Sequence, residues 1–173
     1  MKRLLLIPAL TVILAAGAGT AAAELVLEAV GWQSGRVERP PRPAVFADAT
    51  TVVLPAKGAP RVRAKAVLKN RGPKSMEGIL LRYVVSARLL PLKAEDGEGS
   101  WAVPFLVEER RVPKIGANKI LEVPLITSPL LEQYLRRVAR QGFRADRLRL
   151  QAMIEPHPDQ DVRTVSAELE VAK

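Results

Sequence analysis

Glu155, His157, Asp159 and Asp161 are the densest group of metal-ligating side chains, spaced by two around the chain's single histidine. Carboxylates and imidazoles are the ligands that zinc and calcium sites draw on. In an extended segment alternate side chains share a face, so these four would point to one side. Pro156 and Pro158 break that geometry, and the spacing matches no metal motif. Acidic residues beside prolines also suit a hairpin connection, and a structural turn is the expectation. Glu95-Asp96-Gly97-Glu98-Gly99 lacks the alternate-aspartate spacing of a calcium loop and reads as a turn too. No metal or other cofactor is expected.

The nucleophile inventory is thin. There is no cysteine, which excludes thiol chemistry. No serine stands in a Gly-x-Ser-x-Gly elbow, and Ser34 merely precedes Gly35. A histidine between two prolines reads as a loop tip rather than a general base. Glu108-Glu109 are adjacent and followed by Arg110-Arg111, a pattern of charge compensation at a strand end. Carboxylate pairs that cleave glycosides instead face each other across a cleft. The expectation is a protein that is not an enzyme.

Basic residues are the stronger signal. Residues 136–149 hold Arg136, Arg137, Arg140, Arg144, Arg147 and Arg149 against one acid, Asp146. The planar guanidinium binds carboxylates and phosphates bidentately. Arg61, Arg63, Lys65 and Lys69 form a second row on one strand face. If Arg147 and Arg149 lie beside Arg82 and Arg88 on one sheet, the result is a basic outer face for a partner or a polyanion. The competing expectation is internal pairing, with Glu168 and Glu170 across the ladder from Arg147 and Arg149. Trp32, at what reads as a strand end, is a candidate interface anchor, or else it caps one end of the fold.

The elements that would position these residues are mostly strands, because apolar and polar residues alternate. Early strands fall at residues 25–30 and 51–54. Val62, Ala64, Ala66 and Leu68 face one way within residues 61–70, opposite Arg61, Arg63, Lys65 and Lys69. Ile79, Leu81, Tyr83, Val85, Ala87 and Leu89 form the inner parity of residues 78–90. Trp101, Val103, Phe105 and Val107 alternate, with Trp101 and Phe105 expected in the core and a loop over residues 113–118. Strands follow at residues 120–126, 147–155 and 165–171. A helix is expected over residues 129–141, capped by Ser128 and stopped by Gly142, with Leu130, Leu131, Tyr134, Leu135 and Val138 on one stripe. Arg39-Pro40-Pro41-Arg42-Pro43 reads as an extended, solvated segment.

Many short strands, frequent turn signals and one late helix point to an all-β, two-sheet sandwich. Ala64-Lys65-Ala66-Val67-Leu68-Lys69-Asn70-Arg71-Gly72-Pro73 and the strand after it resemble the B and C strands of immunoglobulin-like bacterial envelope domains, where an apolar strand ends in Lys-Asn-x-Gly. The resemblance implies an immunoglobulin-like sandwich without the antibody disulfide, and no activity.

Lys2-Arg3, the apolar run of residues 4–16 and Ala21-Ala22-Ala23 form a signal-peptide pattern. Cleavage after Ala23 would leave a single domain, residues 24–173, in a periplasm or outside the cell. No later run approaches the ~20 apolar residues of a membrane span. The formal net charge is +9, and loss of Lys2 and Arg3 lowers it by two. Such a surplus favours anionic surfaces, and an exported protein seldom meets nucleic acid. The expected role is an accessory domain docking to an envelope protein; the alternative is binding of anionic glycans or lipids through an arginine-rich face.

Overall fold

A computed structural model describes residues 25–36, 45–53, 61–93, 97–126, 128–155 and 163–172. The strands are β1 (Leu25–Arg36), β2 (Val45–Asp48), β3 (Thr51–Val53), β4 (Arg61–Asn70), β5 (Met76–Pro91), β6 (Ser100–Trp101), β7 (Leu106–Ile115), β8 (Ile120–Pro124), β9 (Phe143–Ile154) and β10 (Val165–Ala172). One helix, α1 (Ser128–Arg140), lies between β8 and β9. The chain is therefore mainly β with two packed sheets. The leader, Arg39–Pro43, His157, Asp159 and Asp161 lie outside the described residues.

The smaller sheet runs β2-β1-β4-β8, and the larger runs β3-β10-β9-β5, with β6 and β7 both pairing the far side of β5. All pairings are antiparallel except β3 with β10. The inner faces meet in a core of aliphatic side chains. Leu68, Leu81, Leu148, Leu150 and Leu169 are fully buried in it. Val62, Ala64, Ala66 and Leu68 face it from β4, and Ile79, Leu81, Tyr83, Val85 and Ala87 from β5, as period two requires.

Two bulges change the parity that simple alternation implies. In β1 the register with β4 shifts between Leu27 and Ala29, making Glu28 the extra residue. Inward side chains are odd-numbered before it and even-numbered after it, so Trp32 turns into the core. Trp32 is only 2% exposed, and its indole N–H donates to the Ala167 carbonyl at 3.3 Å across the two sheets. It is a core residue of a long first strand, not an exposed anchor. In β9 the register with β5 shifts where Arg88 faces Arg147 and Leu89 faces Ala145, which leaves Asp146 as the extra residue.

Further strand boundaries differ from those the alternation implies. The expected strand around Val103 is split: Ser100–Trp101 and Val107 pair with β5 in separate strands, β6 and β7, while Val103 between them is exposed. β7 runs through Pro113 to Ile115, because an edge strand tolerates a residue with no N–H to donate. The turn after β4 is fixed by Asn70, whose amide donates to Lys74 O at 2.8 Å and Gly116 O at 3.0 Å while its Oδ1 accepts from Gly72 N at 2.9 Å. One fully buried carboxamide thus ties that turn to the β7–β8 connection.

Helix α1 packs on β9 and β4 through Leu131, Leu135 and Val138, and Tyr134 stacks on Phe105 with ring centroids 3.8 Å apart. Leu130 falls off this stripe and is exposed. Gly142, at φ +85°, ends the helix in the left-handed conformation that glycine adopts without strain.

Candidate functional site

The outer face of the larger sheet gathers four of the arginines singled out in the sequence. Arg82, Val84, Ser86 and Arg88 of β5 stand opposite Met153, Gln151, Arg149 and Arg147 of β9. On the flanks, Glu109 and Val107 of β7 face Arg82 and Val84, and Glu168 of β10 faces Arg149. The juxtaposition of Arg82, Arg88, Arg147 and Arg149 is as expected. Their charge, however, is balanced on the spot.

Arg82 reaches Glu109 at 2.8 Å and Glu155 at 3.1 Å. Arg149 reaches Glu168 at 2.8 Å, and Arg147 meets the same carboxylate at 3.4 Å. Arg88 forks onto Asp146, with Nε at 3.0 and 3.1 Å from the two carboxylate oxygens. Arg149 also lies over the Trp101 ring, 3.8 Å from its centroid, so Trp101 serves the surface as a cation–π partner rather than the core. The Arg149 hydrogen bond, with Arg147 beside it, holds the Glu168 carboxyl below the usual range. Burial pushes Asp146 up, but the hydrogen bond and charge of Arg88 outweigh it and leave the carboxyl below its ordinary value.

With these arginines occupied, the face offers a groove of about 340 Å³ between β7, β5 and β9. Arg82, Glu109 and Gln151 edge it, and Val84, Val107 and Met153 supply apolar surface. Val107 is 70% exposed. Alternation alone would not single out this strip, since each residue is an ordinary outward position; only the β7–β5–β9 register places the three side by side.

The other candidates are dispersed. Glu108-Glu109 do not pair with Arg110-Arg111: Glu109 turns to Arg82, and Glu108 Oε2 lies 2.8 Å from the Tyr83 hydroxyl. That hydroxyl also lies 3.0 Å from Leu125 O, and burial, with Glu108 beside it, pushes its pKa far up. The Tyr83 hydroxyl thus serves as a hydrogen-bond donor. Three members of the second basic row, on the smaller sheet, are engaged as well. Lys65 reaches Asp48 at 2.7 Å and Glu122 at 3.2 Å, Lys69 reaches Glu28 at 3.1 Å, and Arg63 lies over Phe46 while donating to Gln33 Oε1 at 2.7 Å.

Arg136 pairs with Glu132 at 3.6 Å, whereas Arg137 and Arg140 are exposed on α1, away from the sheet-face arginines. Arg144 opens β9 opposite Leu90 and is half-buried. Glu155 is engaged by Arg82, and among the described residues no group of three or more acidic, histidine or cysteine side chains is gathered for a metal. No helix among the described residues is long and apolar enough to cross a membrane.

No family model matches the chain, and no curated protein matches it. Among solved structures, a protein from Archaeoglobus fulgidus is similar over 86% of this chain and 99% of its own, at 13% identity and a TM-score of 0.32. A score that low carries no argument about fold or function.

Proposed function

We propose that this chain is an exported, non-enzymatic binding domain of immunoglobulin-like type, which docks onto another protein of the cell envelope through the outer face of its larger sheet. The strand order supports the fold reading. Taking β1, β4 and β8 as A, B and E, and β5, β9 and β10 as C, F and G, gives the ABE and CFG sheets of that fold, with β7 added beside C as in variable-type domains. The leader pattern of residues 1–23 supports export to a periplasm.

The observation that carries the docking reading is the groove over β7, β5 and β9. It joins exposed apolar surface at Val107 to Val84 and Met153, amid charges already paired. Apolar surface amid satisfied polar groups suits a protein partner, which excludes water from the patch. A polyanion would first have to break the arginine–carboxylate pairs.

A photo-reactive residue placed at Val107 in intact cells tests the reading, with Ile120, an equally apolar exposed position on the edge of the smaller sheet, as control. One dominant protein adduct from position 107, absent from position 120 and lost with Met153→Glu, is the expected result. Equal labelling from both positions, or no protein adduct from 107, removes the docking reading.

A further inference from the structure

A different surface carries cations with no carboxylate partner among the described residues. The Leu92 amide donates to Gly142 O at 2.9 Å, and Pro91 stands opposite Phe143, so the end of β5 and the start of β9 meet just beyond the last turn of α1. Leu92 is 52% exposed there and Phe143 42%. Around them lie Lys93, next to Leu92, and Arg137 and Arg140 of the last helical turn, all exposed. None of these three cations has a carboxylate partner among the described residues, in contrast to the arginines of the larger sheet's outer face. The helix C-terminus accounts for cations in its last turn. It does not account for two large apolar side chains left in water beside them.

We propose that this corner rests on an anionic lipid surface, with Leu92 and Phe143 entering the boundary between head groups and acyl chains while Arg137, Arg140 and Lys93 contact lipid phosphates. Apolar tips ringed by cations are the pattern of interfacial segments. Cations near an anionic leaflet are attracted within about a Debye length, which is ~8 Å at physiological salt. The corner lies at the far end of β5 from the turn that holds Lys74, and β5 spans up to roughly 50 Å at ~3.3 Å for each of its 16 residues. The inference does not rest on the proposed docking groove, which lies on another surface.

The test is flotation of the full chain, isolated from the cells that make it, with vesicles of phosphatidylcholine alone or mixed with phosphatidylglycerol. Binding should require the anionic lipid and fall about tenfold or more with Arg137→Gln and Arg140→Gln together. Leu92→Ser with Phe143→Ser should lower it comparably. Lys74→Gln with Lys119→Gln removes the same charge at the opposite pole and should leave binding unchanged. In Phe143→Trp, brominated acyl chains should quench the new tryptophan. Absence of anionic-vesicle binding, equal loss in the Lys74 and Lys119 control, or insensitivity to both corner variants would each overturn the proposal.

Discussion

Asp146 is the single acid within residues 136–149, and its place in the extra slot of a bulge turns it toward Arg88. Strict alternation would send its side chain to the face opposite Arg147 and Arg149; the bulge puts it where an arginine needs a partner. The pair is only partly exposed, so loss of the carboxylate leaves a cation poorly solvated. Asp146→Asn keeps the shape and should cost about 1–2 kcal/mol at neutral pH, read from urea unfolding midpoints. The folded-state pKa is below the ordinary aspartate value of 3.8. Stability from the pair is therefore complete above that value and fades as pH falls through the lowered one. The gap between the native chain and Asp146→Asn should narrow as pH falls below the ordinary aspartate value. A gap of the same size at pH 3 and pH 7 would show that the charge contributes nothing.

At the scale of elements, the legible parts were those where period two runs unbroken. β4 and the greater part of β5 alternate without interruption, and their inward residues are those the pattern implies. The helix was legible from its stripe and from Gly142. The bulge at Glu28 hid Trp32, because it reverses parity inside one strand without a glycine or proline to mark it. Pro113 concealed the length of β7, since proline disqualifies only central strands.

Close backbone approach leaves a clearer trace, at Gly35. A Cβ there would lie 2.3 Å from the Val45 carbonyl oxygen of the neighbouring strand. Gly35→Ala must push β2 away, at a cost of roughly 1–3 kcal/mol. Hydrogen exchange locates the damage: the Ala49 amide, bonded to Trp32 O at 2.9 Å, should lose protection, while amides of β5 and β9 keep theirs. Unchanged protection at Ala49 would mean that β2 can yield without unpairing.

For the whole molecule, the distribution of charge matters more than its sum. The chain carries a formal net charge of +9, yet the larger sheet presents Arg82, Arg88, Arg147 and Arg149 each against an acid. The sequence disclosed the arginine row and offered Glu168 and Glu170 as partners for Arg147 and Arg149, of which Glu168 serves both; the pairing of Arg88 was hidden, because it depends on the bulge at Asp146. Glu168 is the pivotal acid, since it serves Arg147 and Arg149 together. Its ion pairs are solvent-exposed, so Glu168→Gln should lower stability by no more than about 1 kcal/mol. The electrostatic consequence is larger: two adjacent guanidinium groups lose their shared counter-charge, and the sheet face becomes a site for polyanions. Retention on immobilised heparin should then require more salt for elution than the native chain does, and Arg147→Gln added to Glu168→Gln should reverse the gain. A single substitution that turns a charge-balanced sheet face into a basic one would show that neutralisation, rather than a lack of arginines, limits the affinity of this face for polyanions. If elution is unchanged, the pairs do not govern the field of this face, and the excess charge elsewhere on the molecule sets its polyanion affinity.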